Sequence, residues 1–141
     1  MFTTGASMET EMKRVLVVDD DTAIRETLRL ILEDAGYDVI EASTGSQALG
    51  LLRSSPNRLV VLLDMIMPDG DGGAVLRAVA ADHALSDRHG YAVMTAGSER
   101  AIETLAPMLA PMHSATMRKP FDIDQVIEVV GMLRRDLGLN D

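Results

Sequence analysis

Hydrophobic positions along this chain fall into two kinds of block. Short, almost unbroken apolar runs, closed by acid or by Gly and Pro, are separated by longer stretches in which apolar residues recur every three or four positions. The most marked run, Leu59-Val60-Val61-Leu62-Leu63, leads straight into Asp64 and then into Met65-Ile66-Met67-Pro68-Asp69-Gly70-Asp71-Gly72. A run this short, β-branched in its first half and closed by Pro and Gly, predicts a strand buried on both faces. Asp64 then stands where that strand leaves the sheet. A second stretch has the same form, Val15-Leu16-Val17-Val18 followed by Asp19-Asp20-Asp21.

Between these runs the pattern predicts helices. Residues 1–12 are polar and aperiodic and predict a flexible N-terminal tail, with Met8 or Met12 as alternative starts. After the strand Arg14 to Val18, Thr22 opens a helix whose buried face carries Ile24, Leu28, Ile31, Leu32 and Ala35, and Gly36 stops it. Tyr37 to Ala42 predicts a strand. Thr44 with Gln47 resembles a capping box opening a helix through Ala48, Leu51 and Leu52. Gly72 to about Ala81 is helical, and Asp82 to Gly90 is expected as a polar connector. Tyr91 to Met94 predicts a strand ending in Thr95-Ala96-Gly97. Ser98 caps a helix containing Ile102, Leu105 and Leu109, in which Pro107 predicts a kink or an early end. Ser114 to Met117 is a weak last strand, followed by Arg118-Lys119-Pro120-Phe121. Asp122 with Gln125 caps a final helix bearing Ile123, Val126, Ile127, Val130 and Leu133. A βα unit repeated about five times implies an α/β protein, with a parallel sheet covered by helices on both faces. The expected organisation is one domain over residues 13–137, with a short C-terminal tail at 138–141 and no separate effector module.

Composition narrows the functions. The 141 residues include no cysteine, which excludes a disulfide framework and a Cys-based zinc site. No apolar run approaches the roughly 20 residues of a membrane span, and no signal peptide is visible, so the expected setting is cytoplasmic. A net charge of -9 with only two Phe and two Tyr argues against direct nucleic-acid binding.

The acidic strand ends carry the chemistry. A dinucleotide site would place Gly-x-Gly-x-x-Gly in the first βα turn, where Asp19-Asp20-Asp21-Thr22 stands instead and would repel a bare phosphate. If Asp19, Asp20 and Asp64 converge within about 5 Å, each pair repels by roughly 3 kcal/mol at an effective dielectric of 20. Such a pocket must keep a proton or bind a cation. Carboxylate oxygens with no Cys or His nearby favour Mg²⁺, Mn²⁺ or Ca²⁺ over zinc. Asp21 is expected to do no more than cap a helix. Asp69-Gly70-Asp71-Gly72 imitates a calcium loop, but counting from Asp69 puts Gly73 at the fifth ligand position and Ala80 at the twelfth, where Glu is required. In this order Lys119 reaches the same edge as Asp64, and Thr95 offers a hydroxyl there. His83, His89 and His113 fall in connectors and are assigned no chemistry.

Taken together, Val17-Val18-Asp19-Asp20, Leu62-Leu63-Asp64-Met65-Ile66-Met67-Pro68-Asp69-Gly70-Asp71-Gly72, Met94-Thr95-Ala96 and Lys119-Pro120-Phe121 resemble the receiver domain of two-component response regulators. The likeness is to the stand-alone, chemotaxis type, over roughly residues 13–137. It implies a doubly wound five-stranded parallel sheet, the (βα)5 flavodoxin-like fold. Asp64 is similar to the phosphoryl acceptor, which takes its phosphate from a phosphohistidine on a sensor histidine kinase or phosphotransfer protein. Asp20, Asp64 and the backbone carbonyl of Ile66 resemble the ligands of Mg²⁺ (or Mn²⁺), with Asp19 acting through a water. Thr95, Ala96 and Lys119 resemble the groups that bind the phosphoryl oxygens and switch. The resemblance implies a signalling domain rather than an enzyme, an unspecified downstream protein target, and a monomer or phosphorylation-dependent dimer.

The likeness departs at Thr116, where the family usually has Tyr or Phe, and this leaves open whether an aromatic switch couples to Thr95. Pro107 and Pro111 also fall in the slightly long stretch between Thr95 and Lys119. Met108, Met112, Met117 and Met132 lie in or near it, as core filler or as an adaptable partner patch. Two competing functions are a degenerate receiver that works without phosphorylation and a Mg²⁺-dependent phosphohydrolase. The second lacks the acid expected two residues after its nucleophile, where Ile66 stands, and lacks a cap domain.

Overall fold

The computed structural model describes residues 13–67, 71–97 and 99–139. Five strands run in chain order, β1 (Arg14–Val18), β2 (Asp38–Ala42), β3 (Val60–Asp64), β4 (Gly90–Thr95) and β5 (His113–Arg118). Their helices are α1 (Thr22–Asp34), α2 (Gly45–Ser54), α3 (Asp71–Ala80), α4 (His83–Arg88), α5 (Glu99–Leu109) and α6 (Ile123–Asp136). All strand pairs are parallel and the spatial order is β2-β1-β3-β4-β5. This is the doubly wound, flavodoxin-like order, with a switch point between β1 and β3. The expected α/β fold is the one observed.

The apolar runs explain the layering. Alternate residues of each strand point to opposite faces. Leu16, Val18, Val61 and Leu63 pack against Ala48 and Leu52 of α2 and against Val75, Leu76 and Val79 of α3. Val15, Val17, Val60 and Leu62 pack against Leu28 and Leu32 of α1 and against Val126, Val130 and Leu133 of α6. Every residue of β3 is buried, including Asp64. Two of the methionines in the atypical stretch, Met112 and Met117, are core residues, whereas Met132 stays exposed.

The helix ends follow their capping residues. Asp21 accepts from the Ala23 and Ile24 amides, Thr44 from Gln47 and Asp122 from Gln125. Gln47 reaches back to the Ser43 amide at 2.8 Å, one residue beyond the Thr44 amide that a regular capping box would use. Gly36 follows α1 at φ +94°, a conformation that glycine adopts without penalty. The expected Ser98 cap, the tail at 1–12 and the 68–70 turn lie outside the described residues.

One expectation is corrected. The connector expected over 82–90 contains α4, capped by Asp82 through the Ala84 amide and anchored by buried Leu85. One apolar anchor in a six-residue helix leaves no period to read. Of the kink or early end expected at Pro107, the early end does not occur: α5 runs through Pro107 to Leu109, as the expected helix through Leu109 requires, and buried Leu109 holds its last turn on the core. Among the described residues, no helix is long and apolar enough to cross a membrane.

Candidate functional site

Because all five strands are parallel, their carboxyl ends share one edge, and the sequence places an acid or a hydroxyl at three of them. Asp19 follows β1, while Asp64 and Thr95 are the last residues of β3 and β4. One carboxylate oxygen from each of Asp19, Asp20 and Asp64 lies within 4.8 Å of the others. Asp19 and Asp64 are buried at 0% and 3% exposure, while Asp20 is exposed and opens the pocket to solvent.

The Asp19 carboxylate is held on one side only. Its Oδ1 accepts the Asp21 amide at 2.9 Å, while its buried Oδ2 has no hydrogen-bond partner. Burial pushes the Asp19 carboxyl above its ordinary value; the Asp21 amide opposes the shift, Asp64 adds to it, Lys119 opposes it and Asp20 adds to it. An unpartnered buried carboxylate oxygen is costly unless something outside the chain satisfies it. A hard cation among three carboxylates fits that requirement, and the donor set is all oxygen.

Lys119 supplies the positive charge that the chain itself brings. It enters from the loop after β5, before a cis Lys119–Pro120 bond, with its amide donating to the Thr95 carbonyl at 2.8 Å. Its Nζ lies 3.3 Å from Asp64 Oδ1 and 3.7 Å from Asp19 Oδ2. Asp64 Oδ1 also accepts the Ile66 amide at 3.2 Å, and among the described residues Oδ2 makes no hydrogen bond. One ammonium facing three carboxylates leaves a net negative pocket beside a half-buried Lys119. Thr95 is buried at the same edge, and its Oγ1 accepts the Gly97 amide at 2.9 Å. Ala96, between them, is exposed. Thr116 stands opposite Val93 in the β4–β5 register and lines a groove of about 410 Å³ between α5 and β5, with Ala106, Ala110 and Ala115.

Two residues matter more than their sequence positions suggest. A Cβ on Gly72 would collide with the Asp64 carbonyl oxygen and sit 2.7 Å from Met65 Cα, so only glycine lets α3 start this close to the end of β3. The turn signal at Gly72 is legible in sequence, whereas the close approach is not. His89, assigned no chemistry, is fully buried at the opposite edge. Its Nδ1 accepts the Leu59 amide at 2.9 Å and its Nε2 lies 3.0 Å from the Leu52 carbonyl. His113 is the first residue of β5 rather than part of a connector.

Comparison with known proteins agrees with this layout. Residues 15–131 match the response regulator receiver domain. The chain is 33% identical over 141 residues to the response regulator MprA of Mycobacterium ulcerans, covering 90% of this chain and 60% of that protein. It is 41% identical over 75 residues to the DNA-binding response regulator MtrA of Mycolicibacterium smegmatis, covering 53% of this chain and 32% of that one. It thus spans less than two thirds of the length of these curated relatives. Among solved structures it is similar to a CheY-like response regulator receiver domain protein from Methanospirillum hungatei, with a TM-score of 0.69 and 32% identity over 86% of this chain and 97% of that one. With the family matched across most of its length, the chain belongs to the response regulator receiver domains.

Proposed function

We propose that Asp64 is a phosphoryl acceptor, loaded from a phosphohistidine on a sensor histidine kinase or phosphotransfer protein, and that residues 13–137 act as the switch. The observation that carries this is the buried Asp64 carboxylate set 3.3 Å from Lys119 Nζ, within a cluster whose Asp19 Oδ2 has no hydrogen-bond partner. In the transfer an Asp64 oxygen bonds to phosphorus, and the P–N bond breaks with its electron pair returning to the imidazole nitrogen. A carboxylate approaching a phosphoryl group meets like charge, and Lys119 offsets part of that repulsion at the reacting oxygen. Asp20, Asp64 and the Ile66 carbonyl would hold Mg²⁺ (or Mn²⁺), with Asp19 acting through a water. The ion supplies charge neutralisation at the phosphoryl oxygens.

The product adds negative oxygens beside Thr95, Ala96 and Lys119. Thr95 Oγ1 now accepts the Gly97 amide, and on phosphorylation its hydroxyl turns to donate to the new group. That movement pulls on β4 and on the β5 end through the Lys119 amide, which holds the Thr95 carbonyl. The readout is a protein surface near α5 and β5, and Thr116 makes the switch independent of an aromatic at that position. The net charge of -9 supports signalling by protein contact over direct nucleic-acid binding, in a cytoplasmic setting.

The test is intact-mass measurement after incubation with acetyl phosphate and Mg²⁺. One added phosphoryl group is expected on the wild-type chain and none on Asp64→Asn. An equal adduct on Asp64→Asn would remove Asp64 from its role. No adduct on the wild type would identify an interaction module that works without phosphorylation.

A further inference from the structure

One cationic side chain touches the acidic turn without facing the carboxylates. Arg25, on the first turns of α1, donates through Nη1 to the backbone carbonyl of Asp19 at 2.7 Å. Its Nη2 reaches Thr22 Oγ1 at 3.3 Å, and its Nε pairs with Glu41 Oε1 at 2.9 Å. Glu41 belongs to β2 and is itself braced, because Arg29 Nε holds its other oxygen at 2.7 Å. Hydrogen bonding to Arg29, and then to Arg25, holds the Glu41 carboxyl below its ordinary value despite some burial. Arg25 is therefore a rigid strut from β2 to the end of β1, and the fork geometry of a guanidinium is what allows three contacts at once.

The strut completes the fixing of Asp19. Its amide donates to the Ala42 carbonyl at 3.1 Å, its carbonyl accepts from Arg25, and its Oδ1 accepts the Asp21 amide. Oδ2 is the polar atom left without a hydrogen bond, and Asp19 belongs to the acidic cluster. The carbonyl that Arg25 holds lies in the peptide plane joining Asp19 to Asp20, so its orientation sets the directions of both side chains.

We propose that Arg25, anchored by Glu41, is a positioning residue for the cation site, acting through the Asp19–Asp20 peptide rather than by touching the ion. This rests on the reading that Asp19, Asp20 and Asp64 form a Mg²⁺ pocket. Positioning and plain charge make opposite predictions. A guanidinium near a divalent cation repels it, so electrostatics alone would have Arg25→Met tighten Mg²⁺ binding. Loss of an orienting partner outside the ligand shell loosens it, by about tenfold or more.

The experiment is calorimetric titration of Mg²⁺ into the full chain, with far-UV circular dichroism and thermal midpoints recorded for each variant. Arg25→Met is expected to raise Kd about tenfold. Arg25→Lys should raise it nearly as much, because an ammonium restores the charge but cannot span Glu41, Thr22 and the Asp19 carbonyl. Glu41→Gln should weaken binding in the same direction by a smaller factor. An unchanged or tighter Kd in folded Arg25→Met, even with a lowered thermal midpoint, would show a structural brace only and overturn the proposal. Should Arg25→Met not fold, wild-type Kd values in both Arg25→Lys and Glu41→Gln would overturn it equally. Absence of Mg²⁺ binding by the wild-type chain is a separate outcome: it overturns the underlying reading of the pocket, and this proposal with it.

Discussion

The two ends of β3 bury ionisable groups in opposite ways. At the amino end, His89 is fully buried, and both ring nitrogens are used, one accepting the Leu59 amide and one donating to the Leu52 carbonyl. Backbone chemistry fixes the tautomer, since an amide must donate and a carbonyl must accept. The ring joins the end of α2, the start of β3 and the turn into β4, and it needs nothing from outside. The unpartnered atom at that end is a nitrogen, Arg88 Nε, whose Nη2 already donates to the Ser55 carbonyl at 2.7 Å. At the carboxyl end, one oxygen each from Asp19, Asp20 and Asp64 crowds within 4.8 Å around one ammonium, and a carboxylate oxygen is buried with no hydrogen-bond partner. At the first end the His89 ring is self-satisfied and stabilising. The other end carries strain of an electrostatic kind, as expected where function rather than stability has set the residues.

The largest effects come from disturbing the joints of β3. Gly72→Ala should cost about 4 kcal/mol, because the new Cβ meets Asp64 and Met65 backbone, which cannot rotate away as a side chain would. Urea unfolding would measure it, and a cost below about 1 kcal/mol would show that α3 can shift without disturbing Asp64. His89→Ala should cost about 3 kcal/mol by stranding the Leu59 amide and Leu52 carbonyl beside a cavity. A near-neutral result would refute the self-satisfied description of that ring.

The same histidine makes a pH prediction. Burial, assisted by Arg88 and Arg58, depresses its pKa from 6.5 to about 4, against the opposing hydrogen bond to Leu52. Below pH 6.5 the unfolded chain takes up a proton that the folded chain refuses, so stability is full above 6.5 and falls as pH drops toward 4. The loss attributable to His89 should reach roughly 2 kcal/mol by pH 5. It is read as the wild-type pH dependence that His89→Ala lacks. Identical pH profiles for the two proteins would contradict it.

How much of this was legible in the sequence follows from the kind of contact involved. Strands buried on both faces write themselves as unbroken apolar runs, so β1 and β3, and the acids that end them, could be read directly. The caps Asp21, Thr44 and Asp122 act over two or three residues and were legible for that reason. The His89 brace joins residues 30 and 37 positions away. The Arg25–Glu41 pair spans 16 positions. Neither leaves a local period. The helix α4 was missed because buried Leu85 is its single apolar anchor. The close approach at Gly72 looks in sequence like any glycine-rich turn.

The smallest expected effect has the opposite sign from the rest. Asp19→Asn should stabilise the Mg²⁺-free chain by about 1 kcal/mol, since it removes a charge that burial disfavours while keeping an oxygen for the Asp21 amide. Destabilisation instead would mean that the carboxylate is compensated within the chain.

The most direct measurement of the contrast is thermal unfolding at pH 7 of the wild type and Asp19→Asn, each with and without millimolar Mg²⁺. An incomplete acidic end predicts that Mg²⁺ raises the wild-type midpoint in a concentration-dependent way, and that Asp19→Asn starts higher and responds much less. A wild-type midpoint that ignores Mg²⁺, or an equal rise in both proteins, would contradict the account that this end of β3 is completed by a cation.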